Sequence, residues 1–401
     1  MSHAALGIAI LGIGLPLYSY LGYPLLLFLL ASVVQMGRDA YYLVSRSERR
    51  RRSERLPRVS ILLAAYNEEK VIERTLQNCL AVDYPRDSLE IIVGSDGSSD
   101  GTDAIVRRFE GQGVRLLRFD ERRGKLAVVR DCVAQARGDI LVFSDANTLL
   151  EAESVRSLVR HFDNAKVGAV CGELRLVHPD GASADEGAYW RYELVLKILE
   201  SRLDSVLGAN GAIYAMRREL FPALTARLIT EDFIIPMKVR SRGLRVLYDP
   251  EAVALETAPA GVEDEFRRRV RIGAGNWQAL WYCRDLLLPW KGFVSLAFWS
   301  HKVLRWFAPF MLAAGLAANA CLLGTPFWRV IFALQLAFYA AAAAGYVLRR
   351  MRLPAGPLRI AHYFVAINLA LALGLARGML GRQRAAWERT SREVAGSGER
   401  P

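Results

Sequence analysis

The fold class this sequence predicts is an α/β domain with a largely parallel sheet, helices on both of its faces, and membrane-crossing helices on either side. Two patterns carry that expectation. Residues 5–34 hold no charged side chain, and three further apolar stretches follow position 302. Between them, from Arg58 to about Glu256, short runs of β-branched and large apolar residues alternate with amphipathic segments. Alternation of this kind belongs to parallel strands joined by covering helices, with ligands at the carboxyl ends of the strands.

Residues 1–36 read as a membrane anchor. As a helix, Ala5–Val34 spans about 45 Å at roughly 1.5 Å per residue, enough to cross a bilayer. No basic leader and no small-residue cleavage site accompany it, which favours a retained helix over a removed signal. Arg49, Arg50, Arg51, Arg52 and Arg55 follow. Because Lys and Arg concentrate in cytoplasmic loops, the N-terminus is expected outside and the domain at 57–260 in the cytoplasm.

Within that domain Val59–Ala65, Leu89–Ser95, Val114–Phe119 and Ile140–Ser144 are expected strands. Glu69–Leu80, Thr102–Glu110, Lys125–Ala136 and Glu151–Phe162 are the helices between them. Residues 261–300 read as an interfacial segment. Residues 301–382 hold three more crossings, Val303–Leu323, Val330–Leu348 and Ile360–Leu380, each near the length a bilayer requires. Arg349–Arg359 is an expected cytoplasmic loop, which by counting sends the tail at 383–401 outside. Arg384, Arg389 and Arg392 stand against that trend. Either the tail departs from the rule or one apolar segment is re-entrant or interfacial.

The net charge of +12 raises nucleic-acid binding, since basic proteins neutralise phosphates. Much of the excess borders the apolar segments, where it suits anionic lipid better, so membrane lipid and not nucleic acid is the expected partner. The five cysteines (Cys79, Cys132, Cys171, Cys283, Cys321) show no CxxC pairing and no neighbouring histidine cluster. That argues against a zinc site or a disulfide framework. His161, His178, His301 and His362 are scattered and receive no catalytic role.

Four motifs stand at strand ends or a helix start. Ala65-Tyr66-Asn67-Glu68 closes the first strand, and Asp96-Gly97-Ser98-Ser99-Asp100-Gly101-Thr102 follows the second. The latter suits a turn with an N-cap as well as a ligand loop. Asp145-Ala146-Asn147 ends the fourth strand and offers hard oxygen ligands suited to Mg²⁺ or Mn²⁺ on a diphosphate, or else a cap for a helix at Thr148–Leu150. Thr230-Glu231-Asp232 opens a helix, where acids also favour the macrodipole.

In order and spacing these motifs, with Arg123-Gly124-Lys125 and Gly208–Gly211, resemble the family 2 glycosyltransferases of GT-A fold. The likeness runs from about Pro57 to Leu280. It is nearest the membrane-embedded branch that includes cellulose, hyaluronan and poly-N-acetylglucosamine synthases. The resemblance implies a hexosyl transfer from a nucleotide sugar, most simply a UDP-sugar, with Mg²⁺ or Mn²⁺ as cofactor. By it, Tyr66, Glu68 and Asp96 line the nucleoside pocket, and Asp145 takes the metal, with Asn147 at the second position of the family's Asp-x-Asp. Lys125 lies near the donor phosphates. Asp232 is the general base with Glu231 beside it. Gly208, Asn210 and Gly211 lie near the acceptor.

One departure concerns the Gln-x-x-Arg-Trp signature of processive members. Arg271 stands at its arginine and by the resemblance binds the donor, offsetting charge on its diphosphate, but Arg268 replaces Gln and Ile272 replaces Trp. Trp277 is the aromatic candidate to serve in its stead, on condition that the helix breaks near Gly273-Ala274-Gly275. Phe266–Arg271 equally reads as a basic helix on lipid headgroups. The implied reaction is an inverting transfer at the cytoplasmic face of the inner (plasma) membrane, building a cell-surface polysaccharide with a possible export partner. A lipid-linked acceptor taking one sugar is the alternative. An inert membrane scaffold or glycan-binding subunit is the alternative of another class.

Overall fold

The computed structural model describes residues 3–45, 56–177, 188–224, 228–257, 262–351 and 353–383. The arginine run at 49–55, His178, Arg352, and Arg384, Arg389 and Arg392 lie outside the described residues. The described chain forms two units: Leu29–Ala260, and Met1–Phe28 with Gly261–Arg384.

The first unit is built on a sheet of strands β1 (Val59–Ala65), β2 (Leu89–Asp96), β3 (Val114–Phe119), β4 (Ile140–Asp145), β5 (Leu149–Leu150), β6 (Val167–Val177), β7 (Tyr214–Arg217) and β8 (Arg245–Thr257). Their spatial order is β3-β2-β1-β4-β7-β6-β8-β5. The half from β3 to β4 is parallel, and so is the β6–β8 pair. β7 runs against both β4 and β6. Every residue of β1 is buried, as a strand covered on both faces requires. Ile61, Leu63, Ile91, Val93 and Val142 meet Ile72, Leu76 and Leu158 from the covering helices in one core. The register pairs Ala65 with Ser95 and Ala64 with Asp145, so the first three motif-bearing strand ends stand side by side.

Several expected boundaries shift. The helix expected from Glu69 begins at Ile72, because the amides of residues 67–69 bond across to the next loop. Thr102–Glu110 narrows to Thr102–Arg107, and Glu151–Phe162 to Ser154–Val159 followed by a 3₁₀ turn. The helix cap considered for Thr148–Leu150 is not formed. Leu149 and Leu150 are strand β5, paired with Leu255 and Ala254.

Four helices among the described residues are long and apolar enough to cross a membrane: His3–Tyr42, Phe293–Ala320, Pro326–Arg350 and Leu358–Met379. The first runs well beyond the expected Val34. The second begins before the expected Val303 because a π-helical turn, Phe298–Val303, continues it backwards. Val262–Tyr282 is one unbroken helix, so no break occurs at Gly273-Ala274-Gly275. Gly273 serves contact instead. A Cβ on Gly273 would lie 3.1 Å from Gly374 Cα, and one on Gly374 would overlap the Val270 carbonyl. Small residues of this kind let two helix backbones approach closely.

Candidate active site

At the carboxyl ends of β1 and β2 two loops interlock. The Asn67 N–H donates to Ser98 Oγ at 3.1 Å, and Asn67 Oδ1 accepts from the Ser99 N–H at 2.8 Å. The Glu68 N–H donates to Thr102 Oγ1 at 2.8 Å, and the Gly101 N–H to Glu69 Oε2 at 3.0 Å. Asn67 takes a left-handed φ of 55°, a conformation asparagine tolerates better than most residues. Asp100 accepts from the Thr102 N–H at 3.0 Å within its own loop and from the Glu69 N–H at 3.2 Å across the two loops.

Asp96 does something else. Its buried carboxylate accepts from the N–H groups of Arg123 at 2.6 Å and Gly124 at 2.9 Å. That anchors the loop in which Gly124 has a φ of 90°, and the loop delivers Lys125 at the first turn of its helix. Arg122 from the same loop lies over the Tyr66 ring, 3.9 Å from its centroid, a cation–π contact. Tyr66, buried Glu68 and Asp96 thus share one end of the sheet.

Lys125 is the centre of the charged cluster. Its Nζ lies 2.7 Å from Asp145 Oδ1 and 3.1 Å from Glu231 Oε1. Burial opposes its charge, but Asp145, Glu231 and Asp232 outweigh burial and hold the ammonium well above its ordinary range. Gly211 completes the arrangement. A Cβ there would stand 3.3 Å from Lys125 Nζ, 3.4 Å from Asp145 Oδ2 and 3.6 Å from Asp232 Oδ2. Glycine therefore leaves open a small cradle faced by two carboxylates and the ammonium.

The loop before β7 is shaped by packing. Gly208 has a φ of 81°, and a Cβ there would overlap the Phe233 ring. The Ala209 N–H donates to the Asp232 carbonyl at 3.1 Å, tying this loop to the start of the Glu231–Ser241 helix. Asn210 bridges its own loop: Nδ2 donates to the Gly172 carbonyl at 2.9 Å, and Oδ1 accepts from the Ile213 N–H at 3.0 Å. Sequence reasoning missed Tyr214. It stacks on Phe143 with centroids 4.4 Å apart and helps line the small cavity beneath Lys125, Glu231 and Asp232. Burial pushes its phenol well above the ordinary range; Lys125 opposes this, and Glu231, Asp232 and Asp145 add to it. A lone tyrosine beginning a four-residue strand carried no signal.

The donor chemistry fits a divalent ion held jointly with a diphosphate. Asp145 presents a carboxylate to the Gly211 cradle, whereas the Asn147 side chain donates its Nδ2 to Glu256 Oε1 at 3.2 Å. No group of three or more His, Cys, Asp or Glu suited to a metal occurs among the described residues. Mg²⁺-type sites ordinarily use one or two carboxylates, with phosphate and water completing the shell, so that sparse set is suitable. Arg271 and Trp277 belong to the helical unit, both on the Val262–Tyr282 helix.

A largely parallel sheet, with carboxylates, a lysine and glycine-rich turns gathered at its strand ends, is a GT-A-like fold. The family model described as glycosyltransferase like family 2 matches residues 57–275, more than half of the chain, and the chain belongs to that family. It is similar to poly-beta-1,6-N-acetyl-D-glucosamine synthase of Staphylococcus aureus (strain COL), 27% identical over 234 residues, covering 57% of this chain and 56% of that one. It is also similar to the probable glycosyltransferase YdaM of Bacillus subtilis (strain 168), 28% identical over 250 residues and 57% of each chain. The matches thus span little more than half the length of these curated relatives. Among solved structures, mannosyltransferase PcManGT from Pyrobaculum calidifontis, in complex with GDP-Man and Mn²⁺, shares the fold. Its TM-score is 0.69 at 24% identity, covering 94% of this chain and 100% of that one.

Proposed function

We propose that this protein transfers a sugar, with inversion, from a nucleoside-diphosphate sugar to an acceptor hydroxyl, extending a cell-surface polysaccharide at the cytoplasmic face of the plasma membrane. The observation that carries the reading is the convergence of Asp145, Glu231 and Asp232 on Lys125 and the Gly211 cradle. Asp232 accepts the proton from the acceptor hydroxyl as its oxygen attacks the anomeric carbon. The bond to the diphosphate breaks on the opposite face, and Lys125 offsets the charge gathering on the leaving oxygens. Asp145 and Asn147 would hold a divalent ion, which when bound supplies further neutralisation of the diphosphate. Tyr66, Glu68 and Asp96 border the nucleoside, and Gly208–Gly211 border the acceptor. The relative named as a poly-N-acetylglucosamine synthase supports the polymer.

One observation favours a lipid-linked acceptor as a second reading. Ile272 offers no aromatic face, and Trp277 lies on an unbroken helix, about 140° around from it at roughly 100° per residue. Trp277 instead lines an apolar groove with Leu280, Trp281, Trp299 and Phe307.

The test is detergent-purified protein given a panel of UDP- and GDP-sugars, with nucleoside diphosphate release and product size followed together. Long products support the polymer, a single added sugar supports the lipid-linked acceptor, and no release with any donor overturns both. EDTA is expected to abolish release, with Mg²⁺ or Mn²⁺ restoring it. Full activity in chelator removes the metal from the mechanism.

A further inference from the structure

The carboxylate cluster at the Gly211 cradle holds a cation of its own. Lys125 Nζ bonds Asp145 Oδ1 at 2.7 Å and stands 3.1 Å from Glu231 Oε1. Both carboxylates are largely buried, with side-chain exposures of 19% and 11%. Asp232 adds a third negative charge across the Gly211 cradle. Three carboxylates this close repel one another strongly in a poorly solvated place. A lysine paired to two of them reduces that repulsion.

Two features show that the lysine is held for this position. Asp96 fixes the preceding loop through the Arg123 and Gly124 amides, and the left-handed Gly124 lets the chain turn directly into the Lys125 helix. Nothing in the local helix requires a lysine there, since the first turn of a helix favours acids.

We propose that Lys125 is an exchangeable counter-cation: in the empty enzyme it occupies Asp145, and a divalent ion arriving with the donor displaces it from that carboxylate. The ammonium then keeps its contact with Glu231 and turns toward the donor phosphates. The consequence is a donor site whose negative charge is partly offset when empty, in which the ion alone binds weakly because it competes with a resident lysine. Nucleoside diphosphate strengthens ion binding by giving the displaced ammonium a new partner. The proposal rests on the reading of Asp145 as a metal carboxylate.

The test measures Mn²⁺ binding to the full-length, detergent-solubilised protein by loss of the free-ion paramagnetic resonance signal, without donor and without turnover. Lys125→Met removes the competitor, and Mn²⁺ alone is expected to bind about tenfold more tightly, equivalent to about 1.4 kcal/mol. Added UDP or GDP should tighten Mn²⁺ binding in the wild type and do so much less in the variant. A lysine that stays on Asp145 with the ion bound would also repel it, but nucleoside diphosphate would then tighten Mn²⁺ binding equally in wild type and variant. That equality, or weaker or unchanged Mn²⁺ binding in a folded variant, overturns the proposal. If Lys125→Met does not fold, the wild type decides. Acetylation of Lys125, followed by mass spectrometry, should rise when Mn²⁺ is added alone and fall again with nucleoside diphosphate. Unchanged labelling overturns the exchange. Failure of Mn²⁺ to bind any form would instead remove the metal reading on which the proposal rests, a result distinct from equal binding in wild type and variant.

Discussion

Glycine has different work in the two units of this chain. In the α/β unit, two glycines near the site stand where the backbone must turn left-handed: Gly124 at a φ of 90° ahead of Lys125, and Gly208 at 81° against Phe233. In the helical unit, Gly12, Gly273, Gly315 and Gly374 lie within regular helix and are small so that helices can touch. A Cβ on Gly12 would stand 2.6 Å from the Met311 carbonyl and 2.7 Å from Gly315 Cα. Charge divides in a similar way. The first unit gathers three carboxylates and a lysine in one cluster, whereas these helix contacts are backbone against backbone. The α/β site therefore depends on where charge sits, and the helix contacts depend on shape.

The largest expected effect comes from changing charge without shape. Asp232→Asn should lower sugar transfer by about 10²–10⁴, while nucleoside diphosphate binding and the melting temperature stay close to wild type. Transfer assays beside a binding titration check this. Near-normal turnover would make Asp232 an acid that only suits the helix start, and the comparison would fail at its strongest point.

Changing shape without charge should do the reverse in the helical unit. Gly374→Val forces a side chain into the Val270 carbonyl, and overpacking of this kind costs about 1–3 kcal/mol. Thermal unfolding in detergent should shift down, while molecules that remain folded keep their rate of donor hydrolysis. Gly208→Ala sharpens the contrast from the other side, as a shape change beside the site. A left-handed backbone costs a residue with a Cβ about 1–2 kcal/mol. Overlap with Phe233 should also disturb the start of the Glu231 helix. Both melting temperature and turnover should fall, the first by less than in Gly374→Val and the second by less than in Asp232→Asn.

Strands β1 to β4 were legible because each is a short β-branched or apolar run, and β1 and β3 occupy the expected residues. The second half of the sheet was not. β7 is four residues long, and β8 passes through Asp249-Pro250-Glu251, which reads as a turn. The structure absorbs that sequence as a register shift against Gly172 and Glu173. The motifs at Asp96, Asp145 and Glu231-Asp232 could be located one by one from residue type and predicted strand ends. That Lys125 bonds Asp145 and reaches Glu231 follows only from the crossover order of the sheet, which local patterning does not encode. The expected break at Gly273–Gly275 erred for a related reason. Glycine weakens an isolated helix, but a neighbouring helix packed against it restores more than it loses.

The smallest effect is expected at Trp277. It stands five residues after Ile272 on one continuous helix, so it turns away from the position a processive tryptophan would occupy. Its ring meets Trp281 edge-on with centroids 6.0 Å apart and lines a groove formed by aromatic and aliphatic side chains of its own unit. Such a contact is worth about 0.5–1.5 kcal/mol beyond the buried area. Trp277→Ala should therefore cost a little stability by loss of packing. The indole carries no charge to contribute to the leaving diphosphate, so donor hydrolysis should hold. With no part in the chemistry, the change should leave the product-size distribution within about twofold of wild type, the range of a substitution away from a special site. Gel sizing of products at saturating donor gives the answer. Products cut to a single added sugar, with hydrolysis intact, would put the Trp277 ring against the acceptor. The helical unit would then share in catalysis, and the division between a unit that depends on charge and one that depends on shape would no longer hold.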